Sequence, residues 1–146
     1  MRKLVLLLAA MALALVVASG VASAVNKIVT NGTDLLAGTD GDDNLVGRGG
    51  NDFVKGLKGS DNLAGGKGND FLGDDVFREF SEDNLSGGNG NDTILVDNGT
   101  AAEDVVVCGD GFDRVFADRV DLIAADCERV QNRIGFYRGG IRRGRA

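Results

Sequence analysis

The sequence predicts an all-β fold built from short, regularly repeated strands, and three observations support this prediction. Aspartates recur every nine residues in a stretch rich in glycine, and the spacing resumes after two interruptions. The residue two positions after each aspartate is always leucine, isoleucine or valine. A short strand turns its middle residue towards the inner face of a sheet, so these aliphatic residues are expected to form the core. The aspartates are Asp34, Asp43, Asp52, Asp61, Asp70, Asp83, Asp92, Asp104 and Asp113, and the aliphatic residues are Leu36, Leu45, Val54, Leu63, Leu72, Leu85, Ile94, Val106 and Val115.

The composition excludes several classes of function. The chain has 146 residues, a net charge of −6, 23 glycines, two cysteines and neither proline, histidine nor tryptophan. A chain without proline and without glycine at every third position is not a collagen. Without histidine it cannot use Ser-His-Asp or Cys-His catalysis or hold zinc through imidazole. Its acidity makes nucleic acid an unexpected partner.

The first 24 residues have the three-part layout of a secretory signal peptide. Arg2 and Lys3 precede the apolar run Leu4–Ala18, and Ala22-Ser23-Ala24 fits an A-x-A cleavage site. The alternative is a membrane anchor, but a run of 15 residues is shorter than the roughly 20 that a spanning helix needs. We therefore expect cleavage after Ala24, a mature protein that is extracellular, and no membrane span after cleavage.

Two segments carry a specific repeat motif. Gly65–Leu72 and Gly87–Ile94 match the pattern G-G-x-G-x-D-x-U-x, in which U is aliphatic, and the chain therefore resembles the RTX, or haemolysin-type, calcium-binding proteins. The resemblance extends over about Asn31–Asp113. It implies a parallel β-roll in which two nonapeptides form one coil and calcium ions lie between the turns of adjacent coils. Aspartates 18 residues apart would then share one edge of the roll.

The residue types of these turns suit calcium, which prefers carboxylate and carbonyl oxygens. The turns before Asp83 and Asp104 lack glycine and are expected to bind calcium poorly or not at all. The resemblance therefore implies about four to six calcium ions rather than one per repeat. The sequence contains neither an EF-hand loop nor a phosphate-binding loop. The predicted metal-site residues are Asp34, Asp43, Asp52, Asp61, Asp70, Asp92, Asp113, Gly41, Gly50, Gly59, Gly66, Gly68, Gly88 and Gly90.

The distribution of charge predicts that folding depends on calcium. Val25–Val130 holds 22 acidic and 9 basic residues, a net charge of −13. Stacking the aspartates of this segment without counter-ions would bring like charges close together. Metal binding would then contribute directly to the free energy of folding.

The residue after each aspartate is expected to face outward, so that two ladders of side chains form on the outside of the roll. The apolar ladder is either covered by stacking and by an insert near residues 75–82, or it is a contact surface for a partner. The apolar ladder consists of Leu35, Phe53 and Phe71, and the polar ladder of Asn44, Asn62 and Asn84.

The C-terminal third is expected to close the roll. Cys108 and Cys127 are the only cysteines, and in an exported chain we expect them to form a disulfide rather than remain free thiols. Residues 25–104 are then the repeat roll and residues 105–130 its terminal repeat and disulfide cap. Residues 131–146 hold five arginines and no acid, and are expected to form a basic disordered tail. The alternative is that the tail binds an acidic polymer at the cell surface or the acidic roll itself.

These patterns predict a secreted calcium-binding protein that folds on binding several ions and is not an enzyme. The alternative is a calcium-dependent adhesion or partner-binding module at the cell surface, with a cell-surface or matrix partner. In the RTX family such repeats often follow hydrolase domains, but this chain leaves no room for one.

Overall fold

The fold consists of short strands joined by tight turns, and a computed structural model describes residues 24–73, 80–97, 102–132 and 135–138. These residues contain no helix, and therefore none that is long and apolar enough to cross a membrane. The strands are β1 (Asn26–Ile28), β2 (Leu35–Ala37), β3 (Asn44–Gly49), β4 (Phe53–Lys55), β5 (Asn62–Lys67), β6 (Phe71–Gly73), β7 (Asn84–Asn89), β8 (Thr93–Leu95), β9 (Val105–Asp110), β10 (Arg114–Ala117), β11 (Leu122–Ile123), β12 (Arg129–Asn132) and β13 (Gly135–Arg138).

The strands alternate between two sheets, which makes the chain a β-solenoid of about five turns. Sheet A has the order β1-β3-β5-β7-β9-β11, and sheet B has the order β13-β12-β10-β8-β6-β4-β2. The strands within each sheet pair in parallel, except that β12 and β13 are antiparallel. The predicted all-β fold and parallel roll are confirmed.

The pairing register follows the repeat, including its interruptions. Leu36 pairs with Val54 at a separation of 18 residues, whereas Leu63 pairs with Leu85 across the first insert. The strands on both sides of the insert therefore keep the same register, with β5 paired to β7 and β7 paired to β9.

The core consists of the aliphatic residues that the nine-residue spacing predicts, which the two sheets contribute alternately along the chain. All nine of these residues are at most 2% exposed. Val96, Cys108, Ala117 and Cys127 extend the same cluster towards the C-terminal end. Burial of a Val, Leu or Ile side chain stabilises a fold by roughly 1.5–3 kcal/mol, so this thin core is the main apolar contribution to stability.

A disulfide between Cys108 and Cys127 closes the C-terminal end of the core, as predicted. Both cysteines are buried, and their Cα atoms are 5.2 Å apart. Cys108 lies in β9, and Cys127 precedes β12, so the bridge ties the last full coil to the segment that covers it.

Several segments named in the sequence analysis lie outside the described residues. These are residues 1–23 of the predicted signal peptide, residues 74–79 of the insert, residues 98–101 of the repeat roll, and residues 133–134 and 139–146 of the tail. The beginning of the predicted tail contributes the end of β12 and all of β13 to sheet B.

Glycine is required where the turns of successive coils stack on one another. Gly68 and Gly90 have φ angles of +124° and +131°. A Cβ atom at Gly90 would lie within 3.0 Å of the carbonyl oxygen of Gly68, and one at Gly68 would overlap Gly50 in the same way. A side chain at either position would therefore push two coils apart as well as strain the backbone.

We predict that Gly90→Ala severely destabilises the solenoid, by more than about 2 kcal/mol, because it combines a positive φ with a clash against backbone. Gly32→Ala is the matched control, since its Cβ would meet only the Thr30 hydroxyl at 3.6 Å. Denaturant unfolding of both variants in calcium would measure the difference. Equal stability of the two variants would contradict the stacking described here.

Candidate metal centre

Two columns of buried aspartates run along the two edges of the solenoid, where the turns lie. Each column contains aspartates from alternate repeats, as expected for two nonapeptides per coil. The eight members after Asp34 are at most 3% exposed. The first column contains Asp34, Asp52, Asp70, Asp92 and Asp113, and the second contains Asp43, Asp61, Asp83 and Asp104.

One oxygen of each carboxylate is used to join adjacent coils. Oδ1 of Asp70 accepts the backbone N–H of Asp52 at 2.8 Å, and Oδ1 of Asp92 accepts that of Asp70 at 2.8 Å. The second column follows the same rule, with the N–H of Asp43 donated to Asp61 at 2.8 Å. We call these two series the aspartate ladders. They satisfy backbone donors at turns where the strand pairing does not reach.

In the turns that begin with glycine, the other oxygen of the carboxylate lies against that glycine. Oδ2 of Asp52, Asp70, Asp92 and Asp113 is buried and accepts no hydrogen bond. A Cβ atom at Gly65 would overlap Oδ2 of Asp70, and the same relation holds at the equivalent glycines of other turns. Absence of a side chain at this glycine therefore leaves room for the carboxylate. A buried anionic oxygen without a partner is costly, and a bound cation would offset that cost.

The burial of these carboxylates raises their affinity for a positive charge. Burial raises the pKa of Asp92 from 3.8 to about 6, although the N–H of Asp70 opposes the shift. The charges of Asp70 and Asp113 raise the pKa of Asp92 further. Burial also raises the pKa of Asp70 and of Asp113. In each case the carboxylate is held where its negative charge is poorly solvated.

A second series of hydrogen bonds runs along the outside of the first edge in the opposite direction. The N–H of Asn69 donates to Oδ1 of Asn51 at 2.8 Å, and the N–H of Asn91 donates to Oδ1 of Asn69 at 2.7 Å. Adjacent coils are therefore joined by reciprocal bonds, one from each coil to the other. The side-chain oxygens of these asparagines are engaged in this way, whereas Oδ2 of the aspartates is not.

The two ends of the ladders differ from the middle. Oδ2 of Asp34 accepts the hydroxyl of Thr30 at 2.7 Å and its N–H at 3.1 Å, so the first carboxylate is already satisfied. At the other end, Glu128 accepts the N–H of Asp113 at 2.8 Å and Asp121 accepts that of Asp104 at 3.3 Å. These two side chains take the place of the aspartates that a further coil would supply.

Asp126 completes this C-terminal cap. Its Oδ2 accepts the N–H of Gly109 at 2.9 Å, at the edge of β9 where β11 is too short to pair. Asp126 and Glu128 flank Cys127, so the disulfide holds both carboxylates over the last turn. Sequence reasoning missed Asp121, Asp126 and Glu128 as ladder residues because they fall outside the nine-residue spacing. The acids on both sides of a cysteine were the available signal.

The first glycine of each turn was also absent from the predicted site. Gly38, Gly47, Gly56 and Gly65 recur every nine residues, five positions before an aspartate, so the signal was present in the repeat. The predicted glycines lie in the same turns, and all except Gly41 have positive φ angles and lie against the backbone of the turn in the adjacent coil. Gly41 is buried and donates its N–H to the hydroxyl of Thr39 at 3.3 Å.

The donors of the turns fit a hard cation. The described turns offer carboxylate and backbone carbonyl oxygens, and the only cysteines are joined in the disulfide. Within the described ranges, no three acidic side chains form a group that could hold a metal ion. Each turn supplies one buried aspartate, and an ion bound there would have to draw on backbone oxygens as well. Such an oxygen-only donor set matches calcium rather than zinc or copper.

Comparison with known families supports the same chemistry. A family model for the RTX calcium-binding nonapeptide repeat matches the chain in 4 copies, over residues 29–63, 37–72 and 81–100. No curated protein and no solved structure matches the chain significantly. The matched ranges include the aspartates from Asp34 to Asp92, and they end before the last turn and its cap.

We predict that Glu128→Ala destabilises the protein by about 1–2 kcal/mol, because the buried N–H of Asp113 loses its acceptor. Glu128→Gln keeps an acceptor oxygen and should lie within about 0.5 kcal/mol of the wild type. Glu103→Ala, which removes an exposed acid elsewhere, is the control for charge. Chemical unfolding in calcium measures all three; a Glu128→Gln variant as unstable as Glu128→Ala would argue against the capping bond.

We also predict that the metal-free protein becomes more stable as the pH falls from about 7 to about 4. Burial raises the pKa of Asp92 to about 6 and that of Asp121 to about 7. Because the folded-state values exceed the unfolded ones, the cost of these buried charges is present at pH 7 and is removed as they take up protons. For Asp92 the difference corresponds to about 3 kcal/mol. Circular dichroism in calcium-free buffer checks this, and structure that is lost on acidification would contradict it.

Proposed function

We propose that this chain, which carries RTX calcium-binding nonapeptide repeats, binds several calcium ions along the two edges of its β-solenoid and folds as it binds them. The observation that carries the proposal is the buried Oδ2 atom, which has no hydrogen-bond donor in Asp52, Asp70, Asp92 and Asp113. A divalent cation is the partner that such a row of desolvated oxygens lacks.

Six turns contain glycine and the aspartate of the proposed site, although Cys108 replaces the first glycine in the turn of Asp113. They end at Asp43, Asp52, Asp61, Asp70, Asp92 and Asp113, and together with Asp34 they contain the proposed ligands. Gly41, Gly50, Gly59, Gly66, Gly68, Gly88 and Gly90 would supply backbone oxygens. The turns before Asp83 and Asp104 lack glycine, which supports about four to six ions rather than one per repeat.

Coupling of calcium to folding follows from the charge of the roll. With a net charge of −13 over residues 25–130, the two ladders place carboxylates one coil apart along each edge. The thin aliphatic core has to outweigh this repulsion when no cation is present. Bound calcium would remove the repulsion and add its binding free energy to folding.

We further propose that the protein is exported before it folds. Residues 1–24 would be removed as a signal peptide, leaving a repeat roll at 25–104, a disulfide cap at 105–130 and a basic tail at 131–146. An oxidising exterior would allow the disulfide to form. Extracellular calcium modules commonly bind at about 10⁻⁴–10⁻³ M, which would delay folding until export. The proposed role is structural rather than enzymatic.

The alternative function, a calcium-dependent adhesion or partner-binding module, is favoured by one observation. Phe53 and Phe71 stack with their ring centroids 4.9 Å apart on the outside of sheet B, and Leu35 next to them is 77% exposed. The apolar ladder therefore exists as expected, and part of it faces solvent. A calcium-ordered roll would present this ladder only when it is folded.

We predict that calcium added to the metal-free protein induces β structure and that Asp70→Asn raises the calcium concentration for half-folding about tenfold to a hundredfold. The variant removes one buried charge that would contact the ion, a loss of about 1.5–3 kcal/mol. Asp40→Asn is the matched control, because Asp40 is exposed and pairs with Lys58 outside the ladders. Circular dichroism measures folding, and calorimetry measures the number of ions.

Two results would count against the proposed function. One is a spectrum of the metal-free protein that calcium leaves unchanged. The other is an equal effect of Asp40→Asn and Asp70→Asn, which would assign calcium binding to general surface charge rather than to the buried ladders.

A further inference from the structure

The outer face of sheet B differs in charge from the rest of the molecule. The strands β2, β4, β6, β8, β10 and β12 contain no aspartate or glutamate, although residues 25–130 have a net charge of −13. Each strand turns two residues outward, on either side of its buried residue. The outward residues are Leu35, Phe53, Phe71, Thr93, Arg114 and Arg129 in one row, and Ala37, Lys55, Gly73, Leu95, Phe116 and Gln131 in the other.

The N-terminal part of this face is apolar. Leu35 is 77% exposed and Phe53 is 42% exposed, and the ring of Phe53 lies parallel to that of Phe71, with an angle of 2° between their planes. Leu95 and Phe116 continue the apolar surface in the neighbouring row and are half-buried. A contiguous row of exposed apolar side chains typically marks a contact surface.

The C-terminal part of the same face carries two arginines. Arg114 on β10 is the register partner of Arg129 on β12, and both side chains are exposed. Guanidinium groups bind phosphate through paired hydrogen bonds, so this pair is suited to a phosphate-bearing surface.

The positive charge of this face acts separately from the acidic edges of the solenoid. At physiological ionic strength charges are screened over about 8 Å, so a bound ligand responds mainly to the face that it touches. The acidic turns lie on the edges of the solenoid and not on this face.

We propose that the outer face of sheet B docks on the surface of an anionic phospholipid membrane. The apolar row would enter the boundary between headgroups and acyl chains, and Arg114 and Arg129 would contact the lipid phosphates. A soluble polyanion would engage the arginines but leave Leu35 and Phe53 in water. A second copy stacked on the same face would bring no acid to the arginines, because this face has none.

The test is co-sedimentation of the protein without residues 1–24, in calcium, with phosphatidylcholine vesicles that contain or lack phosphatidylglycerol. We expect binding to require phosphatidylglycerol and to weaken with added salt. Arg114→Gln/Arg129→Gln should weaken binding about thirtyfold, since each arginine near an anionic surface contributes roughly one kcal/mol. Arg48→Gln/Lys67→Gln removes the same charge outside sheet B and should leave binding within about threefold of the wild type.

The apolar row is tested separately. Phe53→Ser/Phe71→Ser should weaken binding at least tenfold, whereas Val105→Ser/Val107→Ser, an equally apolar pair exposed on sheet A, should not. Leu35→Ser is the variant least able to disturb folding, because Leu35 is the more exposed end of the row, and it should also weaken binding. Circular dichroism of each variant confirms that it is folded. Residues 1–24 are absent from every variant, because their apolar run would itself bind vesicles.

Three results would overturn the proposal. The first is equal binding to vesicles with and without phosphatidylglycerol. The second is binding of heparin or RNA that depends on the arginines but not on the apolar row, together with no lipid binding; this would assign the face to a soluble polyanion. The third is self-association in sedimentation velocity that the same variants abolish, without lipid binding, which would make the face an interface between copies.

Discussion

The interaction on which the rest of the structure depends is the contact between a buried carboxylate and the backbone of the adjacent coil. Oδ1 of each ladder aspartate after Asp34 accepts an N–H of the preceding coil, while Oδ2 in Asp52, Asp70, Asp92 and Asp113 has no hydrogen-bond partner. The same side chain therefore stabilises the stacking of coils through Oδ1, but burial of Oδ2 without a hydrogen bond lowers the stability of the folded state. A bound cation would resolve this conflict, since it satisfies the second oxygen without disturbing the first.

The glycines are a consequence of this arrangement, and two exceptions show what they contribute. The second position of the turn has a positive φ in each of several coils, and at Arg48 and Leu57 it is occupied by residues that are strained there, with φ angles of 73° and 85°. Such conformations cost roughly 1–2 kcal/mol each. Both exceptions lie in the first coils, whereas the equivalent positions in later coils, such as Gly88 and Gly109, are glycine. The turn geometry is thus imposed by stacking on neighbouring coils, which outweighs local preference.

The nine-residue spacing predicted the structural features that recur in every repeat, but not those that occur only at the C-terminal end of the solenoid. It identified Leu36 and its eight equivalents as the core because strand alternation and coil stacking act on every repeat in the same way. It could not identify Asp126 or Glu128, since their role depends on the path by which the chain crosses the last coil. The direction of the ladders was likewise unpredictable, because it is set by the relative height of the turns. The pairing of β12 with β13 in sheet B depends on the same non-repeating end.

Because acidic and basic side chains occupy different parts of the roll, the edges can bind a cation while the outer face of sheet B binds an anionic surface. Among the described residues, the acidic side chains other than Asp110 at the end of β9 lie in turns and connections, where a cation can lie between coils, and the strands of sheet B contain none. Strand alternation explains how this is achieved, since the residue after each aspartate is directed outward and away from the carboxylate before it. Calcium bound at the edges would lower the net negative charge that opposes an anionic surface without touching the residues that contact it. Calcium-dependent folding would then also create the docking face, because Arg114 and Arg129 are adjacent only when β10 pairs with β12.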